Sequence, residues 1–118
     1  MRILIVEDEV RISQLLSMYL KRESFLVDVV DNGNDGLSKA LQEDYQLIIL
    51  DLFLPGKNGF EVLATLRQEK NTPVILLSAQ SEANDQKRMF ELGANMYISK
   101  PFSPNDVISK VKQLCCFN

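Results

Sequence analysis

Histidine is absent from all 118 residues. Its absence removes the general base of Ser-His-Asp and Cys-His catalysis and the ligand of the commoner zinc sites. Cysteine is nearly as scarce, with two residues, adjacent as Cys115 and Cys116. That pair matches neither a metal-ligand spacing nor a disulfide framework, so one reads as an apolar helix-face residue and the other as incidental. Long apolar runs are missing too: nothing approaches the roughly 20 residues that span a bilayer. The run Ile3-Leu4-Ile5-Val6 is too short for a signal-peptide core, and acids follow it. Basic charge is short as well, with 13 Lys and Arg against 16 Asp and Glu, a net charge of −3. Direct nucleic-acid binding wants a basic face, so it is not expected. The composition predicts a cytoplasmic protein that avoids both membrane and nucleic acid.

What remains is 46% hydrophobic and 25% charged, a globular composition. Residues 1–118 read as one domain, large enough to bury a core. Short aliphatic runs alternate with amphipathic stretches. Ile3 to Val6 predicts a first strand, and Asp8 is placed to cap the helix marked by Ile12, Leu15, Leu16 and Tyr19. Phe25 to Val30 predicts a second strand closed by Asn32-Gly33, before a helix bearing Leu37, Ala40 and Leu41. Leu47 to Leu50 is a third strand; Val62, Leu63 and Leu66 mark a third helix. Pro73 opens a fourth strand, Val74 to Leu77, ending at Ser78. Met89, Phe90 and Leu92 mark a fourth helix stopped by Gly93. Met96 to Ser99 is a short fifth strand, and Val107, Ile108, Val111 and Leu114 mark a fifth helix. Five alternating pairs predict a flavodoxin-like doubly wound (βα)5 fold with a five-stranded parallel sheet, whose best-fitting order is 2-1-3-4-5.

Ligands of such sheets bind outside the carboxyl ends of the strands. The first strand ends in Glu7-Asp8-Glu9, the third in Asp51, the fourth in Ser78 and the fifth in Lys100. Taken singly, each has a bland explanation: acids favour a helix N-terminus, and a lysine is usually solvated. Together they fall on one edge. Clustered carboxylates repel, and a hard divalent cation relieves them. Magnesium, with manganese as a substitute, suits an oxygen set in which Asp8 and Asp51 are direct ligands and Glu7 acts mainly through water. Lys100 and the ion would neutralise a transferring phosphoryl group, Ser78 would offer it a hydroxyl, and Asp51 would be the nucleophile.

Over nearly its whole length the chain resembles the CheY-like receiver domain of two-component response regulators. The matching motifs are ILIVEDE at 3–9, DLFLPGKNG at 51–59, PVILLSA at 73–79 and GANMYISKPF at 93–102. The resemblance implies Asp51 as phosphoacceptor, Glu7 and Asp8 as an acidic metal pair, and the Phe53 carbonyl as a further ligand. It also implies Ser78 and Tyr97 as switch residues, Lys100 as the phosphate-contacting lysine, and a cis bond between Lys100 and Pro101. Phe53 and Gln80 stand where the family tunes dephosphorylation. The implied partner is a sensor histidine kinase. The implied activity is confined to the chain's own phosphorylation and slow dephosphorylation, rather than turnover of a separate substrate.

Its motifs look most like the OmpR/PhoB-type subgroup, whose members pair through the fourth helix, fifth strand and fifth helix. The subgroup has two acids where this chain has Asn95 and Met96, so an ion pair to Lys110 is lost from that homodimer. The expected context is a receiver cut from a longer regulator whose missing effector binds DNA, the alternative being a stand-alone receiver acting through protein contacts. A haloacid-dehalogenase-like phosphotransferase would want an acid at Phe53. A flavodoxin-like cofactor binder would want a phosphate loop where Glu7-Asp8-Glu9 stands. A pseudo-receiver would lack part of the acidic cluster, which is intact.

Overall fold

Alternate residues of the central strands pack on opposite faces of one sheet, and that alternation sorts the core. The structure, a computed structural model, describes residues 1–79 and 83–115. In chain order the elements are β1 (Arg2–Val6), α1 (Val10–Arg22), β2 (Leu26–Val30), α2 (Gly33–Gln42) and β3 (Leu47–Asp51). These are followed by α3 (Gly59–Arg67), β4 (Val74–Ser78), α4 (Ala83–Glu91), β5 (Met96–Ser99) and α5 (Pro104–Cys115). The sheet is parallel throughout, in the order β2-β1-β3-β4-β5. This is the doubly wound arrangement expected from the alternation of strands and helices.

Leu4, Val6, Ile48, Leu50, Val74 and Leu76 join a core with Leu37, Leu63, Leu66 and Met89, which places α2, α3 and α4 on one face. Ile3, Ile5, Leu47, Ile49, Ile75 and Leu77 pack with Leu16, Leu20, Val107 and Val111, placing α1 and α5 on the other. Strands buried on both faces read as unbroken aliphatic runs, as β3 and β4 do.

Three local expectations are corrected. The N-cap of α1 is Glu9, with no side-chain capping bond, so Asp8 does not cap that helix. Its carboxylate instead joins those of Glu7 and Asp51. The second strand starts at Leu26, because Phe25 is still in the turn, its amide donating to the Leu20 carbonyl. The fourth helix ends at Glu91, before Leu92, and Phe90 lies exposed on it while Met89 is buried. Among the described residues no helix is long and apolar enough to cross a membrane.

Candidate phosphoacceptor site

The register of the sheet brings four strand ends to one edge. Val6 pairs with Leu50, Asp51 with Leu77, and Ser78 with Ser99. Continuations of the ladder extend the edge by a residue. The Leu52 amide donates to the Leu77 carbonyl, and the Lys100 amide to the Ser78 carbonyl, both at 2.8 Å. Asp51 is the last residue of β3, rigid on both sides, and its side chain is almost wholly buried.

The loop after Asp51 is held by two glycines with different jobs. Gly56 has φ of +78°, in the left-handed region that suits glycine. Gly59 opens α3 pressed against the backbone of Asp51. A Cβ there would lie 2.7 Å from the Asp51 carbonyl oxygen and 2.8 Å from Leu52 Cα. The helix it opens carries a full capping box, Asn58 accepting from the Glu61 amide and Glu61 accepting from the Asn58 amide.

Glu7, Asp8 and Asp51 each contribute an oxygen to a cluster within 4.8 Å. Lys100 reaches in from the opposite side. Its Nζ lies 2.8 Å from Glu7 Oε1, 3.3 Å from Asp51 Oδ2 and 3.6 Å from Glu9 Oε1. Glu7 Oε1 is sealed from solvent and lacks an aligned hydrogen bond, yet at 2.8 Å its contact with Lys100 is an ion pair. The other Glu7 oxygen accepts from the Glu9 amide at 3.1 Å. Burial pushes the Glu7 carboxyl up to about 7, against the pull of Lys100. Burial works against the Lys100 charge too, but the bond to Glu7 and the charge on Asp51 outweigh it and raise its pKa. We take the lysine as charged. The strain of the site falls on the carboxylates, three against one ammonium in contact.

That imbalance fits a cation. The donors are hard oxygens of the class that magnesium takes, and one of them is a buried oxygen with no aligned donor. A cleft of about 350 Å³ opens beside Glu7 and Asp8, lined also by Asp31 and Asp35.

The remaining predicted residues are distributed around this centre. Ser78 ends β4 and is fully buried. Phe53 is 58% exposed, two residues beyond Asp51. The Lys100-Pro101 bond is cis. Tyr97 packs against the α2–α3–α4 core, its hydroxyl buried without a hydrogen-bond partner among the described residues. Gln80 and Cys116 lie outside the described residues.

Two relationships were not readable in advance. Glu9 takes part in the Lys100 cluster as well as heading α1. Asn95, at the first of the two positions where the subgroup has acids, has a structural task. Its Oδ1 accepts from the Val74 amide at 2.9 Å and from Arg67 at 3.2 Å. Lys110 meanwhile pairs with Asp106 one turn earlier on α5.

The pattern of the response regulator receiver domain matches residues 3–112. The transcriptional regulatory protein ResD of Bacillus subtilis is 46% identical over 113 residues, covering 96% of this chain and 47% of ResD. The transcriptional regulatory protein SrrA of Staphylococcus aureus is 47% identical over 112 residues, covering 95% of this chain and 46% of SrrA. The chain thus spans about half the length of these curated relatives. Among solved structures, the receiver domain of the Francisella response regulator 1452 superposes with a TM-score of 0.91 at 29% identity, covering 96% of this chain and 94% of that one. Sequence, sheet order and fold agree: the chain belongs to the response regulator receiver family of two-component systems.

Proposed function

We propose that Asp51 accepts a phosphoryl group from the phosphohistidine of a sensor kinase, and that the chain reads out the modification through α4, β5 and α5. The observation that carries this reading is the ion-pair triangle of Lys100 with Glu7 and Asp51, closed by Asp8. An Asp51 oxygen attacks phosphorus in line. The new bond joins that oxygen to phosphorus, and the phosphorus–imidazole bond breaks with its electron pair leaving on nitrogen. Glu7, Asp8, Asp51 and the Phe53 carbonyl would hold magnesium, which when bound supplies positive charge for the phosphoryl oxygens. Lys100 shares its charge between the carboxylates and the incoming group, and the Ser78 hydroxyl turns toward a phosphoryl oxygen.

The readout follows from packing. Ser78 and Tyr97 stand on neighbouring strands, and drawing Ser78 toward phosphate alters the space available to the ring. A change there biases an equilibrium between two arrangements of the α4–β5–α5 face. Homodimerisation through that face would rest on apolar contacts, since Asn95 is engaged by Val74 and Arg67, and Lys110 by Asp106. Regulation of transcription would fall to a DNA-binding part of the kind implied by the relatives' length and names. On this reading the protein is not a turnover enzyme, and it works in the cytoplasm beside its kinase.

The test is incubation with acetyl phosphate and magnesium. An acid-labile mass gain of about 80 Da, one phosphoryl group, is expected. Persistence of that gain in Asp51→Asn would remove Asp51 as acceptor. Steady hydrolysis of a phosphomonoester would favour a phosphotransferase of the haloacid-dehalogenase kind instead.

A further inference from the structure

The sheet has an open edge that none of this chemistry uses. Among the described residues β2 pairs only with β1, and nothing pairs with its other side. The Leu26 amide donates to the Met1 carbonyl, and the Val30 carbonyl accepts from the Glu7 amide, so these residues turn their backbone groups toward β1. The two groups of one strand residue point to the same side, and successive residues alternate. Val27 and Val29 therefore turn their amides and carbonyls outward. No hydrogen bond among the described residues reaches them.

Proteins usually blunt such an edge with lysine, proline, a bulge or a covering helix. β2 reads Leu-Val-Asp-Val-Val and has none of these within the strand. Helices do not cover it either. A largely apolar cleft of about 730 Å³ lies on the α1 side, where Val10, Met18 and Val29 contribute to its lining. A second cleft of about 310 Å³ lies on the α2 side, bounded by Val30, Ser38 and Gln42. Leu26 and Val29 are both exposed.

Charge is ordered along this edge. Lys21 and Arg22, at the end of α1, border the cleft near the start of β2, and Asp31 and Asp35 border the neighbouring cleft at its far end. All four are exposed, and none has an ion-pair partner among the described residues. A surface that is basic at one end, apolar in the middle and acidic at the other complements itself when turned end for end.

We propose that the β2 edge is a docking surface for a second copy of this chain. Two β2 strands pair antiparallel about a two-fold axis at Asp28, with Val27 of each opposite Val29 of the other. All outward backbone groups of Val27 and Val29 are then used, giving four hydrogen bonds and a continuous ten-stranded sheet. Each copy's Lys21 and Arg22 meet the other's Asp31 and Asp35. The two Asp28 carboxylates at the axis are each already paired with Arg2, which limits their repulsion. This surface lies on the sheet edge opposite β5. The two faces can therefore be occupied independently. A five-residue strand makes a small interface, so the expected dissociation constant is on the order of 100 μM.

Sedimentation velocity on this chain, from about 10 μM to about 1 mM, reads the proposal directly. Dimer is expected to appear across that range. Val29→Lys, at an exposed position, is expected to weaken it at least about tenfold, while Lys110→Glu on the opposite face leaves it unchanged. The double change Lys21→Glu and Arg22→Glu weakens the dimer, and adding Asp31→Lys and Asp35→Lys restores it. A monomer at all concentrations overturns the proposal, as does a dimer that Val29→Lys leaves intact. Failure of the charge exchange to restore association overturns the antiparallel geometry.

Discussion

The Lys100 ammonium sits 2.8 Å from Glu7 Oε1, an oxygen sealed from water on the residue directly after β1, the strand beside that of Asp51. This pair joins the first strand of the fold to the loop after the last. It also explains how a single lysine manages a cluster of acids: it neutralises the carboxylate that burial makes least tolerant of charge, and leans toward Asp51 at 3.3 Å. On the proposed reading, an arriving phosphoryl group would add negative charge where the lysine can be shared.

Lys100→Ala tests that division of labour. Breaking a buried ion pair from one side ordinarily costs about 3–5 kcal/mol, because the other charge is left stranded. Glu7 can escape by taking up a proton, since its carboxyl is already pushed up to about 7. The expected loss is therefore smaller, about 1–2 kcal/mol by urea denaturation at pH 7. Labelling by acetyl phosphate should fall by about tenfold or more, a loss of over about 1.4 kcal/mol in transition-state stabilisation. Unchanged labelling would remove Lys100 from phosphoryl transfer.

Gly59→Ala asks how tightly the acceptor is held. The added methyl would meet the Asp51 carbonyl at 2.7 Å and Leu52 Cα at 2.8 Å, both backbone atoms with little freedom to give. Overpacking of this kind costs about 1–3 kcal/mol. Displacement of Asp51 should also slow labelling more than the stability loss alone predicts. Gly36→Ala is the comparison, since its methyl would meet the Val6 side chain rather than the backbone of Asp51 and Leu52. It is expected to lower Tm while sparing the labelling rate of the folded protein.

Much of this was legible in the residues, and the reasons are uneven. Buried parallel strands show as aliphatic runs, and chemistry at strand ends shows as a polar residue directly after each run. Both are local signals. The Arg67–Asn95–Val74 bracket is not, because it joins α3, β4 and the start of β5 through neutral acceptors that leave no periodic mark. Lys70 is similar: its ammonium contacts the Ala40 and Glu43 carbonyls at 3.0 Å, well away in sequence. The sequence offers Asp8 as both a helix cap and a ligand, because an acid before a helix serves equally well as either, and only the fold removes the cap.

Asp28 gives a stability effect with a defined sign. Its carboxyl accepts from Tyr45 at 2.7 Å and contacts Arg2, and both hold its pKa below the ordinary 3.8. A depressed value in the folded state means the unfolded chain binds the proton more readily. The contribution is complete above the unfolded value and is lost as pH falls through the folded one. Asp28→Asn should accordingly lower the urea midpoint at pH 7, and the gap to wild type should narrow as pH drops below 3.8. A gap that stayed constant into strong acid would mean that Asp28 acts by shape rather than charge.

Phe53 is 58% exposed, two residues beyond Asp51. On the proposed role of Asp51 as phosphoacceptor, the Phe53 ring would shield the acyl phosphate from water. Phe53→Ala should shorten the lifetime of the labelled protein severalfold, by about 1 kcal/mol of barrier, in a timed mass measurement after the phosphodonor is removed. Equal lifetimes would show that the ring does not screen the site.

Tyr97 is the proposed readout residue, and its buried hydroxyl has no hydrogen-bond partner among the described residues. The ring gains from packing against the α2–α3–α4 core, while the hydroxyl forfeits its hydration, a cost of about 1–3 kcal/mol. The two terms oppose each other, and on the proposed readout a phosphoryl group on Asp51 moves their balance. Tyr97→Phe removes the cost and keeps the packing. It should raise Tm by several degrees, corresponding to about 1 kcal/mol, and make the α4–β5–α5 face less responsive to phosphorylation, measured by hydrogen exchange across α4 with and without acetyl phosphate. Tyr97→Ala removes the packing as well and should lower Tm. A Tyr97→Phe protein less stable than wild type would mean that the hydroxyl is satisfied in solution and that the switch draws its balance from elsewhere.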